Sequence, residues 1–162
     1  MRRASVSIIM GSKSDLEIVQ EAAYLLKKFG VSLEIKVLSA HRSPKELARY
    51  IEGAPGRGVK IFIAAAGGAA ALAGVVAAHT TLPVIGIPIE TKSLKGLDSL
   101  LSTVQMPSGI PVACMAIGKA GARNAAIFAM EVLAIEDVRI KAVLSSHKKE
   151  MCAQIKKIKI TL

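Results

Sequence analysis

The sequence predicts a three-layer α/β/α sandwich with a five-stranded parallel sheet, and three observations carry that prediction. Apolar runs of strand length alternate with stretches of helical periodicity along the chain, the pattern of parallel strands joined by helical crossovers. Three of the runs end in short loops rich in Gly, Ser and Ala, at Gly11–Asp15, Ser39–Arg42 and Ala66–Gly68. Hydrophobic residues make up 52% of the chain but aromatic ones only 3%. The core must therefore be Ala, Val, Ile and Leu, which suits helices packed closely on a sheet.

In order along the chain, Ser5 to Met10 reads as the first strand. From Leu16, the apolar positions Ile18, Val19, Ala22, Ala23, Leu25, Leu26 and Phe29 form one wide helical stripe that Gly30 closes. Val31, Leu33, Ile35 and Val37 alternate with polar residues, as in a half-buried second strand. A helix from Pro44 to about Glu52 follows, with Ser43 as N-cap, Pro44 at its first position and Glu46 three residues after the cap. The segment 53–58, with its three glycines and a proline, reads as a turn-rich connection. Val59 to Ala65 is the third strand, and a small-residue helix runs from about Ala69 to Ala78. Leu82 to Ile87 is the fourth strand, a polar segment spans 90–96, and a short helix runs from about Leu97 to Val104. Residues 105–111 must be irregular, because two prolines and a glycine break any element there. Val112 to Ile117 is the fifth strand; a helix through Leu133 and a basic C-terminal helix from about 136 to 160 complete one domain, 1–162. The architecture this implies is flavodoxin-like.

A net charge of +10 invites a nucleic-acid reading. Much of the excess lies in Arg139, Lys141, Lys148, Lys149, Lys156, Lys157 and Lys159, on a terminal helix whose charges read as a solvated face. Stacking aromatics for single strands are also scarce. No nucleic-acid partner is expected. Cys114 and Cys152 make no CxxC and no metal-ligand spacing; Cys114 sits in an apolar run as a small core residue. The first apolar run is too short to span a membrane and no leader cleavage pattern follows it, so a cytoplasmic protein without membrane attachment is expected.

The loop Ser39-Ala40-His41-Arg42 lies between a strand's carboxyl end and a helix's amino end, the edge where open α/β sheets bind ligands. It offers a hydroxyl, an imidazole and a fixed cation, a set suited to a small anionic substrate. Gly11-Ser12-Lys13-Ser14-Asp15 occupies the same edge after the first strand. Its amides and hydroxyls suit a phosphate oxygen, and Asp15 suits ribose hydroxyls, although Ser14 or Asp15 could serve only as a helix cap. Neither a Walker A loop nor a GxGxxG fingerprint is present. Ala66-Gly67-Gly68 brings a third loop to that edge. His79 and His147 lie elsewhere and read as structural or exposed.

On these residues the sequence resembles the PurE family, the N5-carboxyaminoimidazole ribonucleotide mutases of purine biosynthesis. The resemblance rests on Met10–Asp15, Ser39–Pro44, Ala66–Ala70 and Gly96–Val112, extends through Ala116–Gly118 and Asn124–Ala126, and covers about residues 5 to 135. It implies that Ser12 and Arg42 contact the substrate phosphate, Asp15 the ribose hydroxyls and Ser39 the base. His41 would be the catalytic acid/base, with Gly67 and Gly68 forming a backbone wall. It further implies no metal or organic cofactor, a ribonucleotide and CO2 as the small-molecule partners, and a homo-octamer whose C-terminal helix packs on neighbours. The implied reaction is an isomerisation that moves a carboxylate from N5 to C4 of an aminoimidazole ribonucleotide.

One stretch departs from the pattern. Where bacterial mutases read Ala-Ala-His-Leu-Pro-Gly, this chain reads Ala69-Ala70-Ala71-Leu72-Ala73-Gly74, so the family's second histidine is Ala71. His79 is roughly 12 Å further along a helix, too far to substitute. The branch that carboxylates aminoimidazole ribonucleotide directly with CO2 also lacks this histidine, which keeps a direct carboxylase open as the alternative. Arg42 after His41, where that branch carries lysine, and the whole of Leu97–Val112 favour the mutase. A non-catalytic nucleotide- or flavin-binding module of the same fold is the remaining alternative, and it would leave His41 dispensable.

Overall fold

Val6–Met10 (β1) is buried along its whole length and lies at the centre of the molecule's organisation. In this computed structural model it pairs in parallel with Leu33–Val37 (β2) on one side and with Ile61–Gly67 (β3) on the other. The structure describes residues 4–160; residues 1–3, where the expected lack of a leader partly falls, and 161–162 lie outside the described residues. β3 pairs with Val84–Ile89 (β4), and β4 with Ala113–Cys114 (β5), all in parallel. The five strands run in the order β2-β1-β3-β4-β5, the flavodoxin-like order in which the chain reverses direction of travel beside β1.

Helices cover both faces. Leu16–Lys28 (α1) and Gly118–Leu133 (α6) pack on the face that carries Val6, Ile8, Ile63 and Ile85. Pro44–Glu52 (α2), Ala54–Arg57 (α3) and Leu72–Ala78 (α4) pack on the face that carries Ile9, Phe62 and Ala64. The alternation of β1 side chains between the two cores follows from the two-residue strand period. Leu97–Val104 (α5) precedes β5, and Val138–Lys156 (α7) ends the fold. Small side chains permit close approach: a Cβ at Gly121 of α6 would lie 1.6 Å from the Ala116 carbonyl oxygen.

One polar network crosses the second core. Tyr50 on α2 donates to Glu34 Oε1 on β2 at 2.5 Å, and Ser7 Oγ on β1 lies 2.7 Å from the Tyr50 hydroxyl. Tyr50 has a single proton and gives it to Glu34, so Ser7 is the donor in the second bond. Arg57 pairs with Glu34 at 3.1 Å and lies 4.3 Å over the Tyr50 ring. Burial alone would raise the Glu34 carboxyl, but Tyr50, Arg57 and Ser7 outweigh it and hold it below the usual range. Burial and Glu34 together push the Tyr50 hydroxyl up to about 12. Because Glu34 is shifted down on folding, it stabilises the fold above its unfolded value, and that contribution is lost as pH falls through the folded one. The network ties α2, whose amino end carries the His41 loop, to two strands.

Several boundaries differ from those expected from sequence. The segment 53–58 contains a short helix, α3, because Pro55 sits in its first turn, where a missing N–H costs nothing, and Gly58 closes it at φ +93°. β3 starts at Ile61, since the Val59 N–H is engaged by the Ala54 carbonyl; it continues to Gly67, paired with Ile89. β4 is displaced in the same direction, because the Leu82 N–H bonds to Thr80 Oγ1 in a turn. β5 shrinks to Ala113–Cys114 at the sheet edge. α4 begins at Leu72, because Gly68 and Ala70 both have positive φ and form a turn closed by Ala70 N–H to the Gly67 carbonyl. Ser43 does not cap α2 through its side chain; its hydroxyl accepts from the Ser39 N–H and donates to the Ser39 carbonyl. The basic helix starts at Val138, with Asp137 as a cap accepting from Arg139 and Ile140.

Candidate active site

Parallel strands put their carboxyl ends on one rim, and the loops after β1, β2, β3 and β4 meet there around a cleft of about 480 Å³. That size suits a small organic ligand. Gly11, Ser12, Ser14 and Asp15 line it from the first loop, and Ser39, Ala40, His41 and Arg42 from the second. Ala66, Gly67, Ala70, Ala71 and Leu72 form the apolar wall, and Ile89, Glu90 and Thr91 close the far side.

The first loop is a 3₁₀ turn, Lys13–Asp15, that satisfies its own amides. Ser12 Oγ accepts from the Ser14 N–H at 3.3 Å, and Asp15 Oδ2 accepts from the Ser12 N–H at 3.1 Å, a reciprocal capping box. Asp15 Oδ1 also accepts from the Ser14 hydroxyl at 3.2 Å. At the amino end of α1 the Asp15 side chain makes no capping bond; it is Ser12's partner in the preceding turn, and since a carboxylate accepts about four hydrogen bonds, capacity is left on the cleft side. Asp15 is only 8% exposed. Burial raises its carboxyl above the ordinary value, while Ser14, the Ser12 amide and the Arg42 charge pull it back. An acid raised on folding destabilises the fold as pH rises through its folded value, so ionised Asp15 is held at a cost to stability.

Arg42 links the two loops. Its Nη2 donates to the Gly11 carbonyl at 2.8 Å, and its backbone N–H and Nε donate to Ser39 Oγ at 3.2 and 3.4 Å. The guanidinium is therefore aimed at the loop that carries Ser12, with further donors facing solvent. His41 is exposed beside it. A positive φ at Ala70, a buried residue of the wall, marks local backbone strain of the kind found at ligand sites.

Six of the seven expected site residues thus line one cleft: His41, Ser12, Asp15, Arg42, Ser39 and Gly67. Gly68 does not line it: at φ +65° it turns the chain between β3 and α4. His79 caps the carboxyl end of α4, 3.7 Å from Glu52, and His147 packs edge-on against Phe29 at 5.1 Å. Neither reaches the cleft, and the methyl of Ala71 faces it instead of an imidazole. Among the described residues, no three His, Cys, Asp or Glu side chains gather where a metal ion could be held.

The model of the AIR carboxylase family matches residues 5–154. This chain belongs to the AIR carboxylase family. The chain is 54% identical over 145 residues to the N5-carboxyaminoimidazole ribonucleotide mutase of Vibrio parahaemolyticus, covering 90% of each. It is also 54% identical over 146 residues to the enzyme of the same name from Pyrococcus abyssi, covering 90% of this chain and 83% of that one. Among solved structures it resembles Treponema denticola PurE, with a TM-score of 0.85 at 28% identity and 94% of both chains covered.

Sequence reasoning missed the fourth loop. Ile89, Glu90 and Thr91 line the cleft, yet the segment 90–96 reads from sequence only as a polar connection. The signal was available, because the fourth strand is parallel to the third and its carboxyl end must fall on the same rim.

Proposed function

We propose that this chain is an N5-carboxyaminoimidazole ribonucleotide mutase, an isomerase of purine biosynthesis. The observation that supports it most is the convergence of Ser12, Asp15, Ser39, His41, Arg42 and Gly67 on one cleft, in a chain whose relatives carry that name. Arg42 and Ser12 grip the phosphate, Asp15 accepts from the ribose hydroxyls, and Ser39 lies beside the base. Binding energy at the phosphate, remote from the reacting atoms, then positions the ring.

His41 carries the proton. The N5–carboxylate bond breaks, CO2 is released, and N5 takes a proton from His41. C4 forms its bond to the same CO2, and His41 removes the C4 proton, so the imidazole ends as it began. A carboxylate has moved from N5 to C4 and a proton from C4 to N5. Imidazole both gives and takes protons near neutral pH. The wall of Ala66, Gly67, Ala70, Ala71 and Leu72 keeps CO2 beside C4 without offering it a nucleophile.

The homo-octamer expected from the resemblance is supported by uncovered apolar side chains: Leu97, Leu101 and Val104 on α5, and Met151 and Ile155 on α7. A cytoplasmic location is consistent with the free thiols of Cys114 and Cys152, and among the described residues no helix is long and apolar enough to cross a membrane. Ala71 is what keeps the direct carboxylase as the alternative, which the names of the relatives do not favour. Incubation with each ribonucleotide, with and without bicarbonate, separates the two. The mutase forms product from N5-carboxyaminoimidazole ribonucleotide at a rate indifferent to bicarbonate. Product from aminoimidazole ribonucleotide only, and only with bicarbonate, would overturn it.

A further inference from the structure

We infer that Thr91 is a specificity-determining residue whose hydroxyl oxygen accepts a hydrogen bond from the exocyclic amine of the substrate ring, its polarity being set by Asp98. The inference rests on the ribonucleotide reading above and names a contact within it. Thr91 stands just past β4 on the far side of the cleft. Its Oγ1 donates to Asp98 Oδ2 at 3.0 Å, and Asp98 Oδ1 accepts from the Ser99 N–H at 2.9 Å. The carboxylate is thereby fixed at the start of α5. Ser99 Oγ in turn donates to the Ile89 carbonyl at 2.8 Å, fastening α5 to the end of β4.

The methyl of Thr91 is held from the other side. A Cβ built on Gly67 would come within 3.2 Å of Thr91 Cγ2 and of the Ile89 carbonyl oxygen, so the methyl lies against the bare Gly67 backbone. With Cγ2 against Gly67 and the hydroxyl proton on Asp98, the rotamer and the polarity of Thr91 are both determined. A hydroxyl has one proton and two lone pairs. With the proton on Asp98, the Thr91 hydroxyl has only its lone pairs left to offer a ligand. An aminoimidazole presents a donor in its exocyclic amine. A ring bearing a carbonyl there, or nothing, leaves the threonine oxygen unpaired, and sites built to pair a substrate N–H discriminate in that way.

The test is calorimetric titration of the full chain with aminoimidazole ribonucleotide and, separately, with ribose 5-phosphate, which has no ring. Thr91→Val keeps the methyl against Gly67 and removes the oxygen. It should weaken the aminoimidazole ribonucleotide roughly five- to tenfold, the value of one neutral hydrogen bond, and leave ribose 5-phosphate unchanged. Thr91→Ser should restore binding. Asp98→Asn provides an independent variant with Thr91 intact: its amide donates to Oγ1, the hydroxyl proton turns to the cleft, and only the aminoimidazole ligand weakens. Equal loss for both ligands, or no loss, overturns the inference. Failure of the unsubstituted protein to bind aminoimidazole ribonucleotide, with ribose 5-phosphate still bound, overturns the ribonucleotide reading itself.

Discussion

His41→Asn is expected to bind the ribonucleotide with nearly unchanged affinity and to lose turnover by about a hundredfold to ten-thousandfold, the range that general acid–base groups supply. Asparagine has nearly the same shape and can hydrogen-bond, but it cannot exchange a proton near neutral pH. His41 is exposed on a loop whose backbone is fixed by Ser39, Ser43 and Arg42 rather than by the imidazole, so the substitution leaves the cleft intact. Calorimetry gives the affinity, and product formation under saturating substrate gives the rate. Near-normal turnover would remove His41 from the mechanism.

Arg42→Ala should have the opposite signature. Loss of a charge-assisted contact to phosphate is worth about 1.5–3 kcal/mol, a ten- to hundredfold rise in KM or Kd, with a smaller change in kcat. The guanidinium also holds the Gly11 carbonyl at 2.8 Å, so some loosening of the first loop accompanies the loss. The corresponding nucleoside separates the two effects. Without a phosphate it should lose only what the loosened loop costs, a much smaller loss than that of the phosphorylated substrate. An unchanged affinity for the phosphorylated substrate would contradict the role given to Arg42.

The parts of the fold set by periodicity and by special backbone residues were legible from sequence. The α1 stripe closed by Gly30 at φ +76° and the bounds of α2 and α5 follow from local patterns, and the parallel sense of the strands from their alternation with helices. What was not legible depended on who pairs with whom. β3 and β4 are each displaced toward their carboxyl ends because Val59 and Leu82, though apolar, have their N–H groups engaged in turns. Ser43 has the composition of a cap, but a serine hydroxyl can also bond a loop backbone, and Ser39 wins that competition here. The site shows the same division. His41, Arg42, Ser12 and Asp15 stand out because polar groups at the ends of apolar strands have no packing reason to be there. Thr91 stayed hidden, since an unremarkable residue becomes informative only once Asp98 and Gly67 are seen on either side of it.

The most direct test of the whole account follows the carboxylate. N5-carboxyaminoimidazole ribonucleotide labelled with carbon-13 in that group, turned over in excess unlabelled bicarbonate, reports whether CO2 stays beside C4. Retention of the label in the C4 carboxylate is the predicted result. A product carrying unlabelled carbon from bicarbonate would contradict it, because the small-residue wall around Gly67 and Ala71 would then not be holding the migrating group.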